Sequence, residues 1–484
     1  MLQNQNSVNV RKNKSILVFI FYILVMFAAF FLGGCEKNDN TNAQIAGGSD
    51  ANSVENSVDA AKTLNAKSDD NSDNKSDDKI DENSDNKSDD KSDNKSNDKI
   101  DENSDTESDA KSDDNSDNKS DDKIDAKTNN KNDRTSVDNA IDPALMILSS
   151  EDKAKNMLAN MTLEQKVGQM FIGRCYADEA LDDIDTYQLG GYILFKADFY
   201  GQTKESINAK LQSYQNQSKI PILIGIDEEG GRVVRASSNY NLRDEAYASA
   251  GDIFVEGGAD ALKEDSDDKC EFLKNLGVNM NFAPVCDVPE SASDFIYQRA
   301  ISTDSSECAK GVAAIVESMN DKRVISVLKH FPGYGNNVDT HKGFSYDKRD
   351  FDNFVNRDFA PFEAGIDAGA PCVLVSHNIV ECMDENAPAS LSLKVHDVLR
   401  KDLHFKGVIV TDDLSMDAIT GFAGTSEAAV LAVKAGNDLL CVSDYKTQVP
   451  AVIDAVNAGE ITQQRIDESV IRILTMKYKY GIAK

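Results

Sequence analysis

Between residues 135 and 484, short and nearly continuous apolar runs recur with helix-compatible stretches between them. The runs are Val167–Ile172, Gly191–Phe195, Ile222–Ile226, Val278–Phe282, Val324–Leu328, Cys372–Ser376, Gly407–Val410 and Asp438–Val442. Apolar runs this short and this continuous suit strands buried on both faces, the habit of parallel sheets. Thr162-Leu163-Glu164-Gln165 reads as a capping box that opens a helix. Ser206–Asn216, Asp260–Leu276, Glu307–Lys322, Phe359–Ala368, Ser392–Leu403 and Thr425–Ala435 supply further helices. Eight strands alternating with helices predict an α/β fold, a (β/α)8 TIM-type barrel over residues 141–484. A doubly wound open sheet is the alternative that the alternation leaves open. No GxGxxG or Walker glycine loop follows any run, so nothing marks a nucleotide site.

The chain ahead of this region cannot build a core. From Glu36 to Ser136 there is no Phe, Trp or Tyr, and KSDDKIDENSD at 75 to 85 returns as KSNDKIDENSD at 95 to 105. Residues 67 to 134 carry 24 acidic and 13 basic side chains. Residues 36–140 are therefore expected to be a disordered Ser/Asp/Asn/Lys-rich linker, with an r.m.s. span of roughly 50–60 Å that charge repulsion extends. A calcium-binding acidic repeat is the rival reading, but the units lack the glycine-containing loop such sites use.

Residues 1–35 read as an export signal. Arg11, Lys12 and Lys14 form a positive start, Ser15 to Phe31 is almost purely apolar, and Leu32-Gly33-Gly34-Cys35 follows. A Cys directly after two glycines resembles the lipobox of bacterial lipoproteins, which implies lipidation at Cys35. An uncleaved membrane anchor is the alternative. Both place the rest of the chain outside the cytoplasmic membrane, and lipidation would hold it on that membrane's outer face or the cell surface.

A net charge of −31 excludes nucleic acid as an expected partner, since phosphate binding needs clustered Lys and Arg. Besides Cys35 there are seven cysteines, an odd number without CxxC or zinc spacing, several of them inside apolar runs. Buried free thiols are expected, and no metal or cofactor set emerges.

In a barrel the chemistry lies where strands deliver their C-terminal ends. The third run ends in Asp227-Glu228-Glu229-Gly230-Gly231-Arg232 and the fourth in Asn281-Phe282-Ala283-Pro284, with Asp287 beyond it. The fifth ends in Lys329-His330, the sixth in Ser376-His377 and the seventh in Thr411-Asp412-Asp413. Carboxylates, Arg, Lys and His without phosphate-cradling glycines fit hydrogen bonding to sugar hydroxyls. Glycoside hydrolysis needs a carboxylate and an acid/base that protonates the leaving oxygen. Asp412 suits the nucleophile, with Asp413 assigned to the dipole at a helix start. A histidine suits the proton transfer near neutrality.

"IDEEGGRVVR", "NMNFAPVCDV", "KHFPGYGNNVDTH" and "VIVTDDLSM", in that order, resemble glycoside hydrolase family 3 over about Leu148 to Lys484. Within it they are similar to the exo-β-N-acetylglucosaminidase (beta-N-acetylhexosaminidase) branch that acts on cell-wall fragments. The resemblance implies a (β/α)8 barrel and a retaining two-step mechanism without a cofactor. It implies Asp412 as the nucleophile and an Asp339–His341 dyad, with His341 as general acid/base. It further implies that Asp227, Arg235, Arg299, Lys329 and His330 bind the sugar. The sequence departs from the pattern at Tyr334, where the family commonly has His, and in a slightly shorter loop. Both departures bear on the leaving group. The end at "RILTMKYKYGIAK" leads us to expect a stand-alone barrel.

His377 is expected to be structural or to line the pocket, and His396 and His404 to be structural. The expected activity is removal of terminal non-reducing β-linked N-acetylglucosamine from peptidoglycan fragments. A β-N-acetylglucosaminide phosphorylase using the same dyad, and a non-catalytic cell-wall sugar-binding lipoprotein, are the rivals.

Overall fold

The computed structural model describes residues 148–338, 340 and 343–484. The signal segment, Cys35, the linker, and Asp339 and His341 lie outside the described residues.

The alternation resolves as a closed barrel rather than an open sheet. Eight strands pair in parallel: β1 (Phe171–Arg174), β2 (Gly191–Leu194), β3 (Leu223–Ile226), β4 (Met280–Asn281), β5 (Ile325–Phe331), β7 (Cys372–Val375), β9 (Val408–Thr411) and β10 (Leu440–Val442). They run in chain order around the ring, and β10 returns to β1 with Phe171 opposite Leu440. A parallel bridge between Val410 and Leu439 closes the remaining gap, between β9 and β10. Two further strands, β6 (Tyr346–Asp347) and β8 (Ile379–Val380), pair as a separate small sheet beyond β5 and β7.

Seven of the eight apolar runs become the expected strands. The first does not begin where expected. Val167, Gly168 and Gln169 close the helix Leu163–Gln169, and the strand starts only at Phe171. The capping box explains the shift. Thr162 Oγ1 accepts the Gln165 backbone N–H, and the Gln165 side chain accepts the Thr162 N–H, committing the chain to helix through Gln169. The expected helix from Ser392 to Leu403 is an α-helix only over Leu393–Asp397 and a π-helical turn over Val398–Asp402.

Helices clad the barrel and bury one face each. Phe331, Phe354, Phe359 and Phe362 form part of one fully enclosed cluster between β5 and the helices after it. Each such side chain contributes about 1.5–3 kcal/mol on leaving water. The last helix, Gln463–Lys479, is fastened to the N-terminal end of the barrel by a buried carboxylate. Asp438 accepts from Arg472 Nη1 at 2.9 Å, Ser469 Oγ at 2.7 Å and Arg400 Nη2 at 2.5 Å. Six of the seven cysteines are buried, Cys382 is exposed, and all seven are free thiols.

Candidate active site

The C-terminal ends of β3, β4, β5 and the loops after them deliver one connected set of charged side chains. Lys329, inside β5, is 2% exposed, and its ammonium lies 2.7 Å from Asp227 Oδ1 and 2.6 Å from Glu229 Oε1. Arg299 reaches the same glutamate with two parallel bonds, Nε to Oε2 at 3.0 Å and Nη2 to Oε1 at 2.7 Å. A bidentate fork of this kind fixes direction as well as charge. Arg235 completes the rim, with Nη2 3.7 Å from Asp227 Oδ2.

His330 points the same way and its tautomer follows from its partners. Arg299 Nη2 lies 3.1 Å from Nε2 and can only donate, so Nε2 accepts. Nδ1 therefore carries the proton and donates to Asp287 Oδ2 at 2.7 Å. Asp287 is fully buried and also accepts the backbone N–H of His330 at 3.2 Å and that of Tyr334 at 2.8 Å.

Burial alone would raise Glu229, but the Lys329 and Arg299 charges outweigh it and hold the carboxyl far below the usual range. Burial would likewise lower Lys329, and the carboxylates of Asp227 and Glu229 more than reverse it. The ion pairs thus favour the charged forms of Glu229 and Lys329 despite their burial. They form a fixed polar floor for an uncharged, hydroxyl-rich ligand.

Asp412 stands at the end of β9. Its backbone N–H donates to Val375 O at 3.2 Å, and its Oδ1 accepts the Asp413 N–H at 2.9 Å. Asp413 serves a turn rather than a helix dipole: it accepts from Ser415 N at 2.9 Å, and from Ser443 N at 3.2 Å and Ser443 Oγ at 2.6 Å. It thereby ties the β9 loop to the β10 loop.

Three of the five histidines lie apart from this floor. His377 is buried, with Nδ1 2.7 Å from Ser390 Oγ and Nε2 3.0 Å from the Asp413 carbonyl. It supports the Asp412-Asp413 turn from behind. His396 is buried too, and donates Nδ1–H to Ser392 O. His404 takes a left-handed backbone conformation between the π-turn and β9. Among the described residues no three His, Cys, Asp or Glu side chains gather as a metal set.

The structure brings Asp227, Arg235, Arg299, Lys329 and His330 together in one connected set. Glu229 and Asp287 belong with them; the sequence places both at strand ends but assigns neither a role. Glu228 does not belong: it is buried and accepts the backbone N–H groups of Arg235 and Ala236 at 2.9 and 2.8 Å, shaping the loop. The available signal was "DEEGG" itself, in which two adjacent acids at a strand end must point to opposite sides.

A parallel barrel with ion-paired carboxylates, a lysine and an arginine at the C-terminal strand ends has the architecture of a carbohydrate-active (β/α)8 protein. Residues 162–476 match the glycosyl hydrolase family 3 N terminal domain, and the chain belongs to that family. Beta-hexosaminidase A from Pseudoalteromonas piscicida is 30% identical over 331 residues, 61% of this chain and 54% of the relative. Beta-hexosaminidase LpqI from Mycobacterium tuberculosis is 32% identical over 270 residues, 53% of this chain and 68% of the relative. Among solved structures, a glycoside hydrolase family 3 beta-N-acetylglucosaminidase from Paenibacillus sp. str. FPU-7 superposes with a TM-score of 0.64 at 31% identity. That match covers 66% of this chain and 63% of the other. The chain spans about half the length of the first of these relatives.

Proposed function

We propose that this protein is a retaining exo-β-N-acetylglucosaminidase acting on terminal non-reducing β-linked N-acetylglucosamine in peptidoglycan fragments. The observation that carries the reading is the placement of Asp412, directly after β9, at the same C-terminal end of the barrel as the connected polar floor of Asp227, Lys329, Arg299 and His330. The names of the relatives, beta-hexosaminidase and beta-N-acetylglucosaminidase, support the choice of sugar.

In this mechanism the floor holds the sugar's hydroxyls while Asp412 attacks the anomeric carbon and forms a glycosyl-enzyme ester. His341 donates its proton to the departing glycosidic oxygen, so the aglycone leaves as an alcohol. Asp339 orients the imidazole and stabilises its cationic form. Water then attacks the anomeric carbon, His341 takes its proton, and the Asp412 carboxylate is released with the β configuration restored. A lipid at Cys35 and the acidic linker would hold the barrel outside the membrane, within reach of wall fragments.

The test is hydrolysis of a chromogenic β-N-acetylglucosaminide by the full chain, with and without phosphate, beside Asp412→Ala and His341→Ala. Release of free β-sugar by the wild type, lost in both variants, is expected. A sugar 1-phosphate would assign a phosphorylase instead. No release by the folded wild type, while it still binds wall glycans, would assign a sugar-binding lipoprotein.

A further inference from the structure

The loop after β5 leaves the barrel at Pro332 and passes through exposed Asn336 and Val338. It turns inward again at Thr340, which is fully buried. At that return point the Thr340 hydroxyl oxygen lies 2.7 Å from the hydroxyl of Tyr334, six residues earlier. Tyr334 is 1% exposed, so the pair is shielded from water. We propose that Tyr334 is a positioning residue for the acid/base step, its hydroxyl pinning Thr340 and so the chain between Asp339 and His341. This inference rests on the glycosidase reading above.

Tyr334 is well placed to transmit order from the sugar floor. Its backbone N–H is held by Asp287, the same carboxylate that orients His330. Its ring meets the His330 ring edge-on at 5.2 Å and packs against Phe295 at 5.2 Å. Its carbonyl accepts from Asn337 Nδ2 at 2.8 Å. The turn before it is fixed as well. Arg349 Nη2 donates to Gly333 O at 2.9 Å, and Gly333 has φ +121, where a Cβ would meet Asp358 Oδ1 at 2.5 Å. The Gly333–Tyr334 turn is therefore held at several points, and the Tyr334–Thr340 hydrogen bond joins Thr340 to it. A side chain that only filled space here would not require a hydroxyl, and phenylalanine would serve.

Burial, and then the nearby Asp412 charge, push the Tyr334 phenol well above its ordinary range, so it keeps its proton near neutrality, and either hydroxyl of the pair can donate. Thr340 stands between the two dyad residues in the sequence, and that adjacency is the link from Tyr334 to the acid/base step. General acid catalysis depends on such placement, because its contribution of about 10²–10⁴-fold is lost when the donor is out of hydrogen-bond reach.

Tyr334→Phe keeps the ring and removes only the hydroxyl. The full-length wild type, Tyr334→Phe, Thr340→Val and the double variant would be assayed on two aryl β-N-acetylglucosaminides. One carries a dinitrophenyl leaving group, which departs without a proton. The other carries phenyl, which needs one. We expect kcat/KM of Tyr334→Phe to fall by about tenfold or more on the phenyl substrate and by less than about twofold on the dinitrophenyl one. Thr340→Val should reproduce this pattern, and the double variant should add nothing. An equal fall on both substrates would assign Tyr334 to packing alone and overturn the proposal, as would no fall on either. A wild type inactive on both substrates would instead defeat the glycosidase reading, and this inference with it.

Discussion

Two buried lysines sit at opposite ends of the barrel and behave in opposite ways. Lys329, at the C-terminal end, lies between the carboxylates of Asp227 and Glu229. Lys477, at the N-terminal end, donates to Gln169 Oε1 at 2.7 Å and to Gly190 O at 2.9 Å, with no carboxylate among these partners. Burial acts on both. At Lys329 the opposing charges overcome it and keep the ammonium, whereas at Lys477 burial pushes the amine down to about 7. The side chain and the degree of burial are alike, so the neighbours decide whether the lysine is a fixed charge or a titrating amine. Both ends keep paired charges, but at the C-terminal end they line the candidate site, whereas at the N-terminal end the Asp438 cluster fastens the last helix.

Removing the charge from Lys329 should have the largest effect. Lys329→Met leaves Asp227 and Glu229 with one neutralising partner fewer, and breaking a buried pair costs about 3–5 kcal/mol. Denaturant unfolding should show a loss of that order, and kcat/KM on an aryl β-N-acetylglucosaminide should fall by about 100-fold or more. A variant with near wild-type stability and activity would erase the distinction between the two ends.

Lys477→Met tests the other side of the comparison. The folded-state value is depressed below the ordinary lysine value of about 10.4, so between about pH 7 and 10 the unfolded chain binds more protons. This residue's contribution therefore raises stability as pH increases, by at most about 1.4 kcal/mol per pH unit. The difference between wild-type and Lys477→Met unfolding free energies, followed from pH 7 to 9, should isolate that slope. A flat difference would mean that Lys477 keeps its proton as Lys329 does.

Arg299→Lys keeps the charge near Glu229 but loses the fork, and should lower kcat/KM by about tenfold while leaving the melting temperature nearly unchanged. The smallest effect belongs to the N-terminal end. Thr162→Ala removes one half of the capping box and should cost about 1 kcal/mol of stability without altering kcat/KM. A change in activity there would show that the two ends are coupled.

Much of the fold was legible because each strand of a parallel barrel is buried on both faces, which leaves a continuous apolar run. The first strand shows the limit of that signal. Val167 is apolar and buried in a helix, Ile172 is apolar and buried in a strand, and hydrophobicity alone does not separate them. The motifs pointed to Asp412 and Lys329 from the sequence alone. The site was not legible at Glu229 or Asp287, because their roles come from partners far along the chain. Arg299 is 70 residues from Glu229, and His330 is 43 residues from Asp287.

The sequence by itself determined the strand and helix alternation, the family, and which chemical groups the strand ends would carry. Only the tertiary structure decided that Glu229 and Asp287 hold the cationic and imidazole side chains, that Glu228 shapes a loop, and that one buried lysine stays charged while the other titrates. Apolar burial follows residue by residue from local pattern. Protonation and hydrogen-bond partnership instead depend on which distant charges arrive within about 3 Å once water has been expelled.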